Sequence, residues 1–269
     1  MVKSLEITGR LCSAAVLTLV LLSSASAQEV SAPVGNHRAL LGLGAAYLPD
    51  YAGAENSRTV PALFAEYQNE EGYFASTTRG LGKLTCHANW TSSVALSYRA
   101  GRSENPALLY LTHTEALHGM DDIAGTITAN LGLSTRLSDR VTLSSMAAIA
   151  LNQHEYGNSL QLALSAAIWR SMSDQIELKA TVHYGDASYN QRYFGVSTYQ
   201  SLRSGLPVAM GSAGWNRSLS SIAWTHVIDQ NWSVRTLAGI QHMLNDAADS
   251  PLSKMSDNLL LISTVNYSF

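Results

Sequence analysis

The chain alternates. From residue 259 to the end, Phe269, Tyr267 and Val265 fall on one side of a period-two pattern while Ser268, Asn266 and Thr264 fall on the other, the signature of a strand with two unlike faces. Near the start, Leu41, Leu43, Ala45 and Tyr47 oppose a face of small residues that includes Gly42, Gly44 and Ala46. Trp90, Val94, Leu96 and Tyr98 oppose Thr91, Ser93, Ser97 and Arg99, and Ile176, Leu178, Val182 and Tyr184 oppose Glu177, Lys179, Thr181 and His183. Further strands are predicted over residues 58–68, 73–78, 123–134, 141–151, 160–168, 218–227 and 232–243. These make eleven candidates. A closed up-and-down barrel needs an even number, so residues 82–87 are expected to supply a twelfth, with ten strands as the alternative.

The connections alternate as well. Those at Asn69, Ser138, Ser171 and Asp229 are short, and those at Pro49, Gly101, Asn152, Asp186 and Asn245 are mostly longer. Pro49 removes a backbone donor and Gly53 tolerates positive φ, so the first long connection breaks its strand by turn chemistry. Short turns on the periplasmic side and longer loops outside are the asymmetry of outer-membrane barrels. The expected fold is therefore all-β, a transmembrane antiparallel up-and-down β-barrel whose last strand pairs with the first.

Composition narrows this. Charged residues are 14% of the chain and mean hydropathy is +0.01, with no apolar run of eighteen residues to make a membrane helix. Alternating segments hide their hydrophobicity from such averages, as barrel strands do. Lys3 and Arg10, an apolar stretch over residues 11–22 and Ala25-Ser26-Ala27 form a secretory signal peptide. Cleavage after Ala27 is expected, leaving a barrel domain over residues 28–269 in the outer membrane of a Gram-negative envelope. A formal net charge of −3 gives no basic surface for nucleic acid.

Some loop residues invite chemistry. Asp246 and Asp249, before Ser250-Pro251, suit either turn-pinning by short polar side chains or a cation site, and turn-pinning is favoured. Tyr193-Phe194 either folds inward over the lumen or tops a strand. Arg99 and Arg102 with Asp121 and Asp122 form either a charged constriction or, as favoured, a solvated rim. His113, Glu115 and His118 share their loop with those acids, but the spacing is not the i, i+4 pair of a helical zinc site. His183 and His226 lack an evident serine partner for a surface hydrolase. No catalytic residue, cofactor or metal is expected.

Five stretches in order, Tyr47-Leu48-Pro49-Asp50-Tyr51-Ala52-Gly53, Arg79-Gly80-Leu81-Gly82, Tyr98-Arg99-Ala100-Gly101-Arg102, Tyr193-Phe194-Gly195-Val196 and Leu244-Asn245-Asp246-Ala247-Ala248-Asp249-Ser250-Pro251, followed by the terminal Val265-Asn266-Tyr267-Ser268-Phe269, resemble the MipA/OmpV family over nearly the whole chain after residue 27. The resemblance implies a non-enzymatic outer-membrane barrel. It also implies a scaffold that brings a murein hydrolase to a murein synthase, with membrane lipid and the barrel-assembly machinery as further partners. Porin-like members imply the alternative, a narrow channel for small solutes.

Overall fold

The computed structural model describes residues 38–102 and 117–269. The signal-peptide stretch and the loop residues Pro106, His113 and Glu115 lie outside them. The described chain forms twelve antiparallel strands closed into a barrel, each beside its sequence neighbours, with β1 paired to β12. The strands are β1 (Arg38–Pro49), β2 (Ser57–Gln68), β3 (Tyr73–Ser76), β4 (Gly80–Cys86), β5 (Trp90–Arg99), β6 (Thr126–Arg136), β7 (Val141–Ala150), β8 (Ser159–Arg170), β9 (Asp174–Gly185), β10 (Gly214–Val227), β11 (Trp232–Met243) and β12 (Asp257–Ser268). Closure satisfies the amides that an open sheet edge would expose to hydrocarbon. Among the described residues three short α-helices, α1 (Ala187–Phe194), α2 (Thr198–Ser204) and α3 (Asn245–Ala248), and a 3-10 turn over His154–Tyr156 lie in the long connections.

The uncertain stretch around Gly82 is β4. Its hairpin partner β3 is only four residues long, because Ser76 Oγ accepts from the amides of Thr78 and Arg79 and Gly80 takes a positive φ of 83°. That polar turn reverses the chain before β3 reaches the height of its neighbours.

The two faces are those of a membrane barrel. Outward, Leu43, Leu63, Leu81, Val94, Leu96, Ile240 and Leu259 are exposed, which suits lipid. Aromatics gather at both ends. Tyr47, Tyr98 and the Tyr184–Trp215 pair mark the external end, and Trp90, Trp169, Trp224 and the run Trp232, Tyr267 and Phe269 the other. These are the two interfacial belts.

Inward, the lumen is mixed. Leu40, Ala46, Leu48, Phe64 and Leu260 are buried on β1, β2 and β12 beside the polar Glu66 and Asn266, and Thr126, Thr128, Asn130, Ser144, Gln161, Thr181, His183 and Arg217 are buried on β6 to β10 beside Leu219 and Ala223. At the seam, Leu40 to Tyr47 register against Ser268 to Leu261, and the Phe269 amide donates to the Ala39 carbonyl at 3.0 Å. This backbone bond extends the seam to the last residue, whose ring sits in the aromatic belt beside Tyr267.

Candidate functional site

The long connections carry most of the buried apolar side chains outside the wall, and they pack on one another. Ala52, Ile123, Tyr156, Tyr189, Tyr193, Phe194, Met243 and Ala247 form one cluster. Tyr51, Ala54, Leu117, Met120, Val196 and Leu252 form a second. Together they make a cap over the external end. Beneath it the inward side chains at the strand tops, Thr126, Asn216, Gln241 and Met243, are at most 1% exposed, so the external mouth is covered.

Each piece of the cap has a local cause. Asp186 caps α1 by accepting from the Tyr189 amide, and α2 carries a capping box between Ser197 and Gln200, which together satisfy helix amides that packing would otherwise strand. Asn190 at the centre donates to the carbonyls of Ser212 and Gly214 and accepts from Asn216. Gly157 must approach α1 so closely that a Cβ would overlap the Tyr189 amide, and its φ is +68°.

The sequence candidates fall into this cap from separate loops. Pro49 ends β1, in register with Ser57. Tyr51 donates its hydroxyl to the Leu252 carbonyl at 3.0 Å. Gly53 gives its amide to Asn258 at 2.8 Å, while its carbonyl accepts from Lys254 and Met255. Gly101 sits where a Cβ would overlap the Ile123 carbonyl. Arg102, 3% exposed, donates to the Tyr193 carbonyl at 3.1 Å. Tyr193 and Phe194 end α1, buried within the cap, and do not top a strand. Ser250 donates to the Phe194 carbonyl at 2.5 Å and accepts from the Leu252 amide, with Pro251 beside it in the turn. Val265 and Phe269 face outward and Tyr267 packs edge-to-face with Trp232 and Phe269.

Asp246 accepts from the Ser212 amide at 3.0 Å and from its hydroxyl, while Asp249 caps the end of α3. The Asp246 carboxylate is thus committed to loop geometry, whereas Asp249 contributes its amide to the Asn245 carbonyl at the end of α3, and among the described residues no cluster of three or more metal-binding side chains occurs. The Ser212 hydrogen bonds hold the Asp246 carboxyl below its ordinary range. This latch is present above the unfolded carboxylate value and is lost only as pH falls through the depressed folded one.

Arg99, Arg102, Asp121 and Asp122 do not converge. Arg99 donates to the carbonyls of Tyr156 and Gly157, Asp121 pairs with Arg203, and the Asp122 carbonyl accepts from Arg192. They tie cap segments together. Burial holds Arg102 down at about 10 and pushes the Tyr193 hydroxyl up to about 12. At neutral pH Arg102 is thus charged beneath the cap and Tyr193 neutral.

Sequence reasoning missed several of these groups. Asn190, Asn216 and Asn258 are buried amides whose partners lie far along the chain, and only the Ser197-x-x-Gln200 spacing offered a local signal. It also missed two acid–histidine pairs, His226–Asp174 and His242–Asp257, each at 2.8 Å. Asp174 also accepts from Ser173 and Trp224. That serine is bonded to the acid and not to the histidine, so no triad geometry results.

Residues 41–269 match the family described as MltA-interacting protein MipA. YiaT of Escherichia coli O157:H7, described as a candidate outer membrane protein, is 23% identical over 268 residues, covering 95% of this chain and 97% of its own. Among solved structures, the KdgM porin aligns with a TM-score of 0.46 at 8% identity, covering 86% of this chain and 99% of its own. The NanC porin gives the same score and identity, covering 83% of this chain and 98% of its own.

Proposed function

The chain belongs to the MipA family, and for this outer-membrane barrel we propose a non-enzymatic scaffold role, presenting a periplasmic surface to murein hydrolase and murein synthase. The observation that supports it is the inequality of the two ends. The external mouth lies under two apolar clusters, whereas the periplasmic end opens on a cavity of about 280 Å³ among the β8–β9 and β10–β11 turns. At the tips of those turns Met172 is fully exposed and Ile228 is 58% exposed. We assign these two exposed turn tips as the contact for a protein partner.

Tagged protein recovered from detergent-solubilised envelopes is expected to bring a murein hydrolase and a murein synthase with it. The double substitution Met172→Asp and Ile228→Asp is expected to reduce that recovery at least tenfold without changing the folded band. Recovery of neither enzyme counts against the scaffold.

A narrow channel is the second reading. It is favoured by the polar lumen wall, where Gln161 Nε2, Thr181 Oγ1 and His183 Nε2 have no hydrogen-bond partner in the protein and need water or a polar solute inside the barrel to satisfy them. Conductance decides it, as developed in the Discussion.

A further inference from the structure

Beneath the cap the lumen wall carries positive charge without a matching acid. Arg217 of β10 is buried, and its hydrogen bonds go to neutral groups, Asn216 Oδ1 and His183 Nδ1, each at 3.4 Å. Its Nε has no partner. Arg99 of β5 likewise donates to carbonyls and keeps an unpartnered Nη2. Tyr189 of α1 meets both, with the Arg99 guanidinium 5.1 Å from its ring and Arg217 at its hydroxyl. Among the described residues neither arginine forms an ion pair. A guanidinium taken out of water without a counterion is costly, so this part of the lumen favours an anion.

The neighbouring donors agree. Register places Gln161, His183 and Arg217 side by side on β8, β9 and β10, each at most 6% exposed. A guanidinium only donates, so His183 Nδ1 accepts from Arg217 and the ring proton sits on Nε2. That N–H and Gln161 Nε2 are both without partners. Three adjacent strands thus offer unanswered N–H donors, one of them charged, which is the donor set of an anion site. The same row runs on through Met146 to Gly132, where both line a cavity of about 30 Å³. At the roughly 10–15 Å³ that one water needs, only a guest of that scale is admitted. We infer that the row Gln161, His183 and Arg217 binds a small inorganic anion, of about the size of chloride, under the external cap. Asn216, beside Arg217, donates to Asn190 at the centre of the cap, so the anion also steadies the cap on the wall. The inference stands whether the barrel serves as scaffold or as channel.

Chloride NMR reads such a site directly, because a bound chloride broadens the resonance of the free ion. Full-length protein is refolded into detergent in sodium gluconate, whose anion is too large for the row, and gluconate is then exchanged for chloride at constant ionic strength. Excess broadening is expected, removed saturably by bromide and not by added gluconate. Gln161→Leu, which keeps size and removes the amide donor, is expected to weaken chloride binding at least fivefold with the folded band retained. Arg217→Met is expected to remove the excess broadening; should that variant fail to fold, wild type and Gln161→Leu still decide. No excess over a detergent blank in the wild type, broadening that gluconate displaces as well as bromide does, or broadening unchanged by Gln161→Leu in folded protein overturns the inference.

Discussion

Replacing Gly44 with valine is expected to abolish the folded barrel. Gly44 lies on β1, between Thr264 of β12 and Ala62 of β2, and a Cβ there would overlap the Ser263 carbonyl oxygen, with the backbone of Thr264 also in contact. The obstacle is backbone on the closing strand, which cannot rotate aside as a side chain would. Relief requires β1 and β12 to separate, and an open seam exposes amides to hydrocarbon at several kcal/mol each. The expected loss exceeds ~4 kcal/mol, in the range that only such named mechanisms reach. Refolding into detergent, followed by unheated electrophoresis, should show no compact band for Gly44→Val. Gly214, where a Cβ meets nothing within 4 Å, is the control, and Gly214→Ala should refold normally. A valine variant with the wild-type compact band would show that the seam is looser than described.

The second large effect is expected from Glu66→Gln. Glu66 Oε1 lies 2.5 Å from Arg79 Nη2, with the two side chains 4% and 6% exposed, and the guanidinium sits 3.9 Å over the Phe74 ring. Both charges are out of water, so removing one takes a buried charge-assisted hydrogen bond from the other, a cost of ~3–5 kcal/mol. The pair fixes the short β3–β4 hairpin against β2, where only three residues of each strand pair. The urea midpoint should fall accordingly with an unchanged slope. Replacing both residues together with Glu66→Met and Arg79→Leu should recover much of the loss. A midpoint unmoved by Glu66→Gln would mean that water reaches the pair.

Most of the wall was legible because lipid on one side and side-chain packing on the other impose a strict two-residue period, seen plainly in Val94, Leu96 and Tyr98 against Ser93, Ala95 and Ser97. The stretch around β4 was harder, since Gly80 and Gly82 carry no side chain to mark a face. The helices of the longest connection were not anticipated. Their apolar residues, such as Tyr189, Tyr193 and Phe194, serve a packing surface that exists only when other loops arrive.

The same physics explains the uneven legibility of the cap. That Tyr193-Phe194 or Ser250-Pro251 mattered showed in the motif. That Ser250 reaches the Phe194 carbonyl across a sequence separation of 56, or that Arg102 lies under Tyr193, is set by three-dimensional convergence and leaves no local periodicity. Asp246 shows the limit from the other side. Its turn role could be argued from local chemistry, but its partner Ser212 could not.

The account turns on an external mouth closed by the cap, which leaves the periplasmic end as the working face. Single-channel recording in planar bilayers tests this most directly. Refolded wild-type protein should give no sustained steps. Arg102→Met, which strands the Tyr193 carbonyl at about 1–3 kcal/mol and loosens the cap, should give intermittent ones. Wild-type protein that stays steadily open would contradict the closed mouth and make a channel the better account of this barrel.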